Sequence, residues 1–403
     1  MIFSRLKSKI EAFYRFVIAP PKVWGLPGKS DVLIFDACGK EELAPYLSKY
    51  RPSVLATRRE SINVLCVLRA SLSLNFWKGK TIKSYFDAYI QAVSPKLVVT
   101  FIDNNTDFYC ISKQFPDIKT ILCQNGIRGE LGDVFEHLRK SDDYHVDYML
   151  VMGNAIGKKY STYISGSILA NGSLMNNHVN YKYVEPDGSI LFISQYRDKP
   201  KNNEPFLTGI DNNSFYYDQF YSAEAIVLKF LAKWCIDHNK FLKIAGVSIE
   251  NSEQEIAFFE TFLSGYAWEY IPRSDQYSSY RSVDAAEIVV FIDSTLGYEA
   301  AARGKKTASF SCRGVNLNNG ATRFGWPADI PNNGPFWSSD QDEMQFLRVM
   351  DYLNTVSAEE WEQTRKCYMS EIMEFDPGNT RLVALLDQLL GVVYTDKKML
   401  KKA

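Results

Sequence analysis

A chain of 403 residues is too long for one ordinary core and points to two domains, at about 150 residues each. Forty-six Lys and Arg against 47 Asp and Glu leave a formal charge of −1, so no global field draws the protein onto nucleic acid, and any anionic ligand has to be held locally. Seven scattered cysteines without a CxxC pair read as reduced core residues of a cytosolic protein, and four unclustered histidines argue against a zinc enzyme.

The opening segment, "MIFSRLKSKIEAFYRFVIAPPK", places Ile2, Phe3, Leu6, Ile10, Phe13 and Val17 at helical spacing, with Arg5, Lys7, Lys9 and Arg15 among them. Two readings of this basic amphipathic helix stand: a helix docked on its own domain, or peripheral contact of residues 1–22 with an anionic membrane surface. No apolar run reaches the roughly 18 residues that a spanning helix needs. Short apolar strands then alternate with helices, the pattern of parallel α/β units, with strands predicted at 32–35, 54–56, 97–102, 120–123 and 148–152. The loop-rich stretch "NGSLMNNHVNYKYVEPDGS" carries turn residues and marks a domain boundary. After it the pattern restarts: a strand at 190–193, a helix around 223–237, a strand at 242–245, a helix from Ser252, and strands at 268–271, 288–292 and 307–310. Helices around 340–354, 358–374 and 380–390 are long enough to pack across both halves. The expected fold is α/β, two doubly wound Rossmann-like domains facing across a cleft, with C-terminal helices crossing between them. The expected limits are 1–180, 181–375 and, for a C-terminal helix and basic tail, 376–403. The ending "DKKMLKKA" reads as a basic linker cut from a longer multi-domain polypeptide, or as a second membrane-facing patch.

The most informative stretch is "FIDSTLGYEAAARGKK" at 291–306, where an apolar strand stops at three hydrogen-bonding side chains and a small-residue helix begins. In open α/β sheets ligands bind at the carboxyl ends of strands, where helix N-termini present free N–H groups. There Ser294 and Thr295 offer hydroxyls to phosphate oxygens, Gly297 lets the backbone come close, and Glu299 accepts from ribose hydroxyls. The same residues also read as a plain helix cap with a capping-box Glu. Two further strand ends carry compatible groups: Tyr277 and Ser278 upstream, and Ser194, Gln195 and Arg197 in "FISQYRD". Neither GxGxxG nor GxxxxGK[ST] occurs, which disfavours dinucleotide and P-loop chemistry.

With "TFIDNNTDFY", "CQNGIRGE" and "GSLMNN", these phrases resemble the surface-carbohydrate biosynthesis proteins of bacterial O-antigen clusters and the retaining β-Kdo transferases, which are glycosyltransferases of GT-B type. The resemblance implies transfer of Kdo from CMP-Kdo, with retention, onto a lipid-linked O-antigen or capsule glycan. It implies a nucleotide-sugar donor held by the second domain and no divalent metal or other cofactor, because such donors carry their own leaving group and carboxylate. A retaining transfer needs a carboxylate near the anomeric carbon and an acid/base for the acceptor hydroxyl. Asp103 is the first candidate, Glu130 and Asp133 follow, and Gln124, Asn125 and Arg128 lie in the same facing loop. Asp103 reads equally as an Asx-turn or helix cap. Two other classes remain open on the sequence: a UDP-sugar 2-epimerase of the same architecture, and a module that binds nucleotide or glycan without chemistry.

Overall fold

The computed structural model describes residues 19–58, 60–179, 184–210, 212–247 and 252–391. The expectations placed on residues 1–18 and on the basic tail lie outside them. In the first half, β1 (Lys22–Val23) pairs with β4 (Ile62–Asn63). The strands β2 (Val32–Phe35), β3 (Ser53–Leu55), β5 (Leu97–Thr100), β6 (Lys119–Cys123), β7 (His145–Val151) and β8 (Ser165–Ala170) form one parallel sheet in the order β3-β2-β5-β6-β7-β8. In the second half come β9 (Ser189–Ile193), the hairpin β10 (Leu207–Thr208) and β11 (Ser214–Phe215), and then β12 (Phe241–Ala245), β13 (Trp268–Ile271), β14 (Ile288–Phe291), β15 (Lys306–Phe310), β16 (Asn333–Gly334) and β17 (Trp337–Ser338). Their sheet runs β13-β12-β9-β14-β15-β17-β16, parallel except for the β16–β17 turn at one edge.

The central strands "VLIF", "LVVT" and "IVVF" are buried at every position. Helices cover both faces of a parallel sheet, so its strands read as continuous β-branched and aliphatic runs. Helix Tyr217–Asp237 begins at Tyr217, ahead of the expected 223, because Tyr217, Tyr221 and Ala223 already face the core. Strand β8 was not anticipated: "SGSILA" is an edge strand, exposed or half-buried along its length, and lacks the apolar signal of its neighbours. Of the seven cysteines Cys66, Cys123, Cys235 and Cys312 are buried, whereas Cys38 and Cys367 are exposed, which corrects their reading as core residues.

The C-terminal helices cross between the domains. Helix Ala358–Ile372 packs on both helix Asn154–Ser161 and helix Thr295–Ala302. Helix Thr380–Leu390 then sets Leu382, Leu385 and Leu386 against Val32, Ile34, Leu97 and Val99 of the first sheet. No helix among the described residues is long and apolar enough to cross a membrane.

Candidate functional site between the two sheets

Neighbouring strands β9 and β14 end side by side, and their carboxyl ends carry Ser194 to Arg197 and Asp293 to Thr295. With Leu131 and Gly132 of the first domain and Leu207 of the β10–β11 hairpin, Ser194, Gln195, Arg197 and Ser294 line a cavity of about 490 Å³. Helix Thr295–Ala302 opens on it. Its N-cap, Ser294, makes no side-chain capping bond, so the hydroxyl and the first N–H groups of the helix are left at the cavity edge. Unsatisfied N–H groups and the positive end of the helix dipole favour an anion there.

The cavity wall is braced by charges absent from the expected set. The guanidinium of Arg313 donates to Asp293 at 2.6 and 2.9 Å, to the Phe220 carbonyl at 2.9 Å and to Glu224, and it lies 5.6 Å from the Tyr221 ring centroid. Burial pushes the Glu224 carboxyl above its usual range, against the attraction of Arg313. Such a residue reads in sequence as a surface charge; only packing shows that it is enclosed. Ser194 donates its hydroxyl proton to the buried Glu255, which also accepts from Tyr270 at 2.8 Å and from the Val247 N–H at 3.2 Å. The proton of Ser194 is therefore committed to Glu255, whereas Gln195 accepts from the Asp293 N–H at 3.3 Å. Arg197 is exposed and makes no ion pair among the described residues.

The facing loop, residues 124–133, is organised by Arg128. Its Nε donates to Asp103 at 2.9 Å, its other nitrogens reach Asn125 and, at 3.3 Å, Asp133, and Tyr160 donates to Asp103 at 2.6 Å. Asp103 is wholly buried. This corrects the expectation that Asp103 offers a carboxylate to the anomeric carbon: that carboxylate is consumed by an internal ion pair. Gln124 is buried too, accepting from the Met152 N–H at 3.0 Å and donating to the Gly126 carbonyl at 2.7 Å. Asp133 caps the short helix Val134–His137 and holds the Gly129 N–H at 3.0 Å. Among the three expected carboxylates, Glu130 has the most open side chain, 46% exposed and paired with Lys159 at 2.5 Å. The loop reaches the second domain where the Ile127 N–H donates to Thr295 Oγ1 at 3.1 Å. Thr295 is thus an interdomain tie.

Three further expectations are corrected. Gly297 admits a neighbour, but that neighbour is the ring of Phe291, 2.0 Å from where a Cβ would sit. Ser278 accepts from the N–H groups of Ser274 and Asp275, and Tyr277 lies against His178, so neither lines the cavity. Glu299 is buried and receives hydrogen bonds from Tyr280 at 2.8 Å and from Ser173, in the stretch between the two sheets. That stretch also ties the halves together: Asn176 bonds the Glu299 carbonyl at 3.2 Å, and Arg303 bonds Asn176 at 3.2 Å.

Burial pushes Glu299 from 4.5 to about 7, against the hydrogen bonds from Ser173 and Tyr280 and the charge of Arg303. Between those values the folded protein keeps a proton that the unfolded chain has released, so this group's contribution to stability falls as pH rises through the window and is lost above it. Glu299→Gln, which cannot ionise, is expected to gain on the wild type by on the order of 3 kcal/mol across that window. Urea midpoints at a series of pH values check this; a pH-independent gap refutes it.

One cluster outside the cleft, Asp36, Cys38 and Glu60, brings metal-type donor atoms within 4.8 Å of one another. Arg58 already bonds Asp36 at 3.1 Å and Cys38 donates to Glu60 at 3.6 Å, so these groups satisfy each other.

Two Rossmann-like domains with a cavity between the strand ends of one and a loop of the other define a GT-B-type protein. The chain belongs to a family described as O-antigen biosynthesis proteins, whose profile matches residues 121–390. Its fold is similar to that of a protein assigned as a UDP-N-acetylglucosamine 2-epimerase from Listeria monocytogenes, at TM-score 0.53 and 12% identity, covering 91% of this chain and 98% of that one. It is also similar to Staphylococcus aureus MnaA solved with UDP (0.52, 11%, 90% and 97%) and to a glycosyltransferase from Rickettsia africae (0.51, 11%, 91% and 100%). A comparison with curated protein sequences gives no match.

Proposed function

We propose that the protein is a glycosyltransferase of surface-glycan biosynthesis that holds a nucleotide-activated sugar in the interdomain cavity. The observation that carries this reading is the uncapped helix start at Ser294, opening on a cavity walled by both domains. A phosphate fits the helix start. Arg197, which lines the cavity and makes no ion pair among the described residues, suits a second negative group on the donor, such as the carboxylate of an ulosonic acid. The donor is accordingly a CMP-activated ulosonic acid such as Kdo, transferred with retention onto a lipid-linked O-antigen or capsule glycan. A second cavity of about 630 Å³ shares Leu131 with the first and is lined by Glu130, Phe135, Arg139, Asn213, Phe215 and Asn319. Aromatic faces and amides suit an acceptor sugar. Glu130, which lines the second cavity next to the shared Leu131, takes the role of the reacting carboxylate, and Asp103 that of a residue positioning Arg128.

Calorimetry and product analysis test the reading. CMP is expected to bind more tightly than UDP, and Ser294→Ala or Arg197→Ala each to weaken it about tenfold, the loss of one charge-assisted contact. CMP release is expected to depend on an added glycan acceptor and to persist in EDTA. Equal, weak binding of CMP, CDP and UDP would place the donor elsewhere. Conversion of UDP-N-acetylglucosamine to its 2-epimer without acceptor would make the protein an epimerase, and CMP binding without turnover of any donor would make it a binding module.

A further inference from the structure

The first domain carries a broad apolar surface far from any catalytic candidate in sequence. Helix Val64–Ser71 buries Cys66 and Ala70 on its inner side, next to helix Thr81–Val93, and leaves Leu68 and Leu72 58% and 86% exposed. The following helix, Leu74–Trp77, is anchored by the buried Phe76 and leaves Leu74 and Trp77 74% and 67% exposed. Strand β1 pairs with β4 just ahead of this helix pair, and Asn63 Nδ2 donates to the Gly25 carbonyl at 2.6 Å. Trp24 and Leu26 therefore emerge beside the same helices, 71% and 69% exposed. Single exposed leucines are ordinary, but a concentration of large apolar side chains in two adjoining segments marks an interaction surface.

The polar groups of this surface suit one kind of partner. The Trp77 indole N–H donates to the Ser71 carbonyl at 2.8 Å, so the ring can enter an apolar layer without stranding its donor. Residues 61–86 include Arg69, Lys78, Lys80 and Lys83 and no Asp or Glu, and residues 19–30 also lack any acid. Lys83 pairs with Asp87 at 3.6 Å, whereas Arg69, Lys78 and Lys80 make no ion pair among the described residues. Two lysines flanking an apolar tip are disfavoured in a protein interface. In a two-fold pairing of identical copies these cations would meet one another.

We propose that this face docks on an anionic lipid bilayer. Leu72, Leu74, Trp77 and Trp24 enter the boundary between headgroups and acyl chains, while Arg69, Lys78 and Lys80 stay at the lipid phosphates. The surface involves no group of the donor cavity, so it stands or falls independently of the proposed transfer reaction.

Flotation of the full chain with phosphatidylglycerol/phosphatidylethanolamine vesicles, and with phosphatidylcholine vesicles as control, tests it. Binding to the anionic vesicles is expected, weakening with added salt, with little on the control. Leu72→Glu/Trp77→Glu is expected to lower the partition coefficient by about tenfold or more. Lys78→Glu/Lys80→Glu is expected to lower it too and to reduce its salt dependence. Both pairs should keep the wild-type melting temperature and CMP affinity, since the altered side chains are exposed. A wild type that ignores anionic vesicles overturns the proposal. So does vesicle binding unchanged in both variants, which would assign the contact to another part of the chain. A dimer dissolved by Leu72→Glu/Trp77→Glu, with no vesicle binding, would make the surface a self-association face.

Discussion

Arg128→Ala is expected to destabilise the protein by about 3–5 kcal/mol, the usual consequence of removing one partner from a buried ion pair. Asp103 is wholly enclosed, and without the guanidinium its carboxylate keeps only the hydroxyl of Tyr160 as a side-chain partner. Asn125 and Asp133 lose their shared contact at the same time, so the 124–133 loop loses the group that holds its shape. Because that loop carries Leu131 and Gly132 to the cavity proposed for the donor and Ile127 to Thr295, CMP affinity and turnover should fall with stability. The pair Asp103→Asn/Arg128→Met removes both charges and should cost less than the sum of the single changes, since no lone ion is then left buried. Chemical denaturation of the single and double variants gives the coupling. Additive losses would mean that Asp103 and Arg128 act separately. An Asp103→Asn variant that folds as well as the wild type yet loses several orders of magnitude in kcat would return Asp103 to the chemistry itself.

A single methyl group at position 297 is expected to have an effect of similar size. In Gly297→Ala the new Cβ would lie 2.0 Å from Phe291 Cγ and 2.4 Å from both ring Cδ atoms. Phe291 is fully buried and packs edge-on against Tyr298 at 5.1 Å between ring centroids, so the ring has no room to withdraw. Helix Thr295–Ala302 must move away from β14. Overpacking of this kind costs about 1–3 kcal/mol and more where the backbone shifts. The shift also carries Ser294 and Thr295 from their places, breaking the 3.1 Å bond to Ile127, so CMP affinity should drop along with the melting temperature. Phe291→Leu in the same background should recover part of both losses by vacating space under the helix. Gly297→Ala with unaltered melting and CMP affinity would show that helix and strand are not in this close contact.

The sequence by itself determined the central strands of the two parallel sheets, because a strand buried on both faces must be written in an unbroken apolar run: the run at 32–35 coincides with its strand at both ends, whereas the edge strand β8 carries no such run. The sequence also marked the helix start at Ser294, since hydroxyls at the end of a buried strand are a local signal that depends on nothing distant. What only the tertiary structure decided is which polar groups remain free to act. Asp103 and Glu299 look as available in sequence as Ser294 and Arg197, yet their partners Arg128 and Tyr160, Ser173 and Tyr280 come from other elements 19 to 126 residues away. Arg313, Glu224 and Glu255 carry no local mark of burial for the same reason. A charge can leave water only when a partner meets it inside the fold, and that meeting is a property of packing between segments rather than of any one segment's pattern.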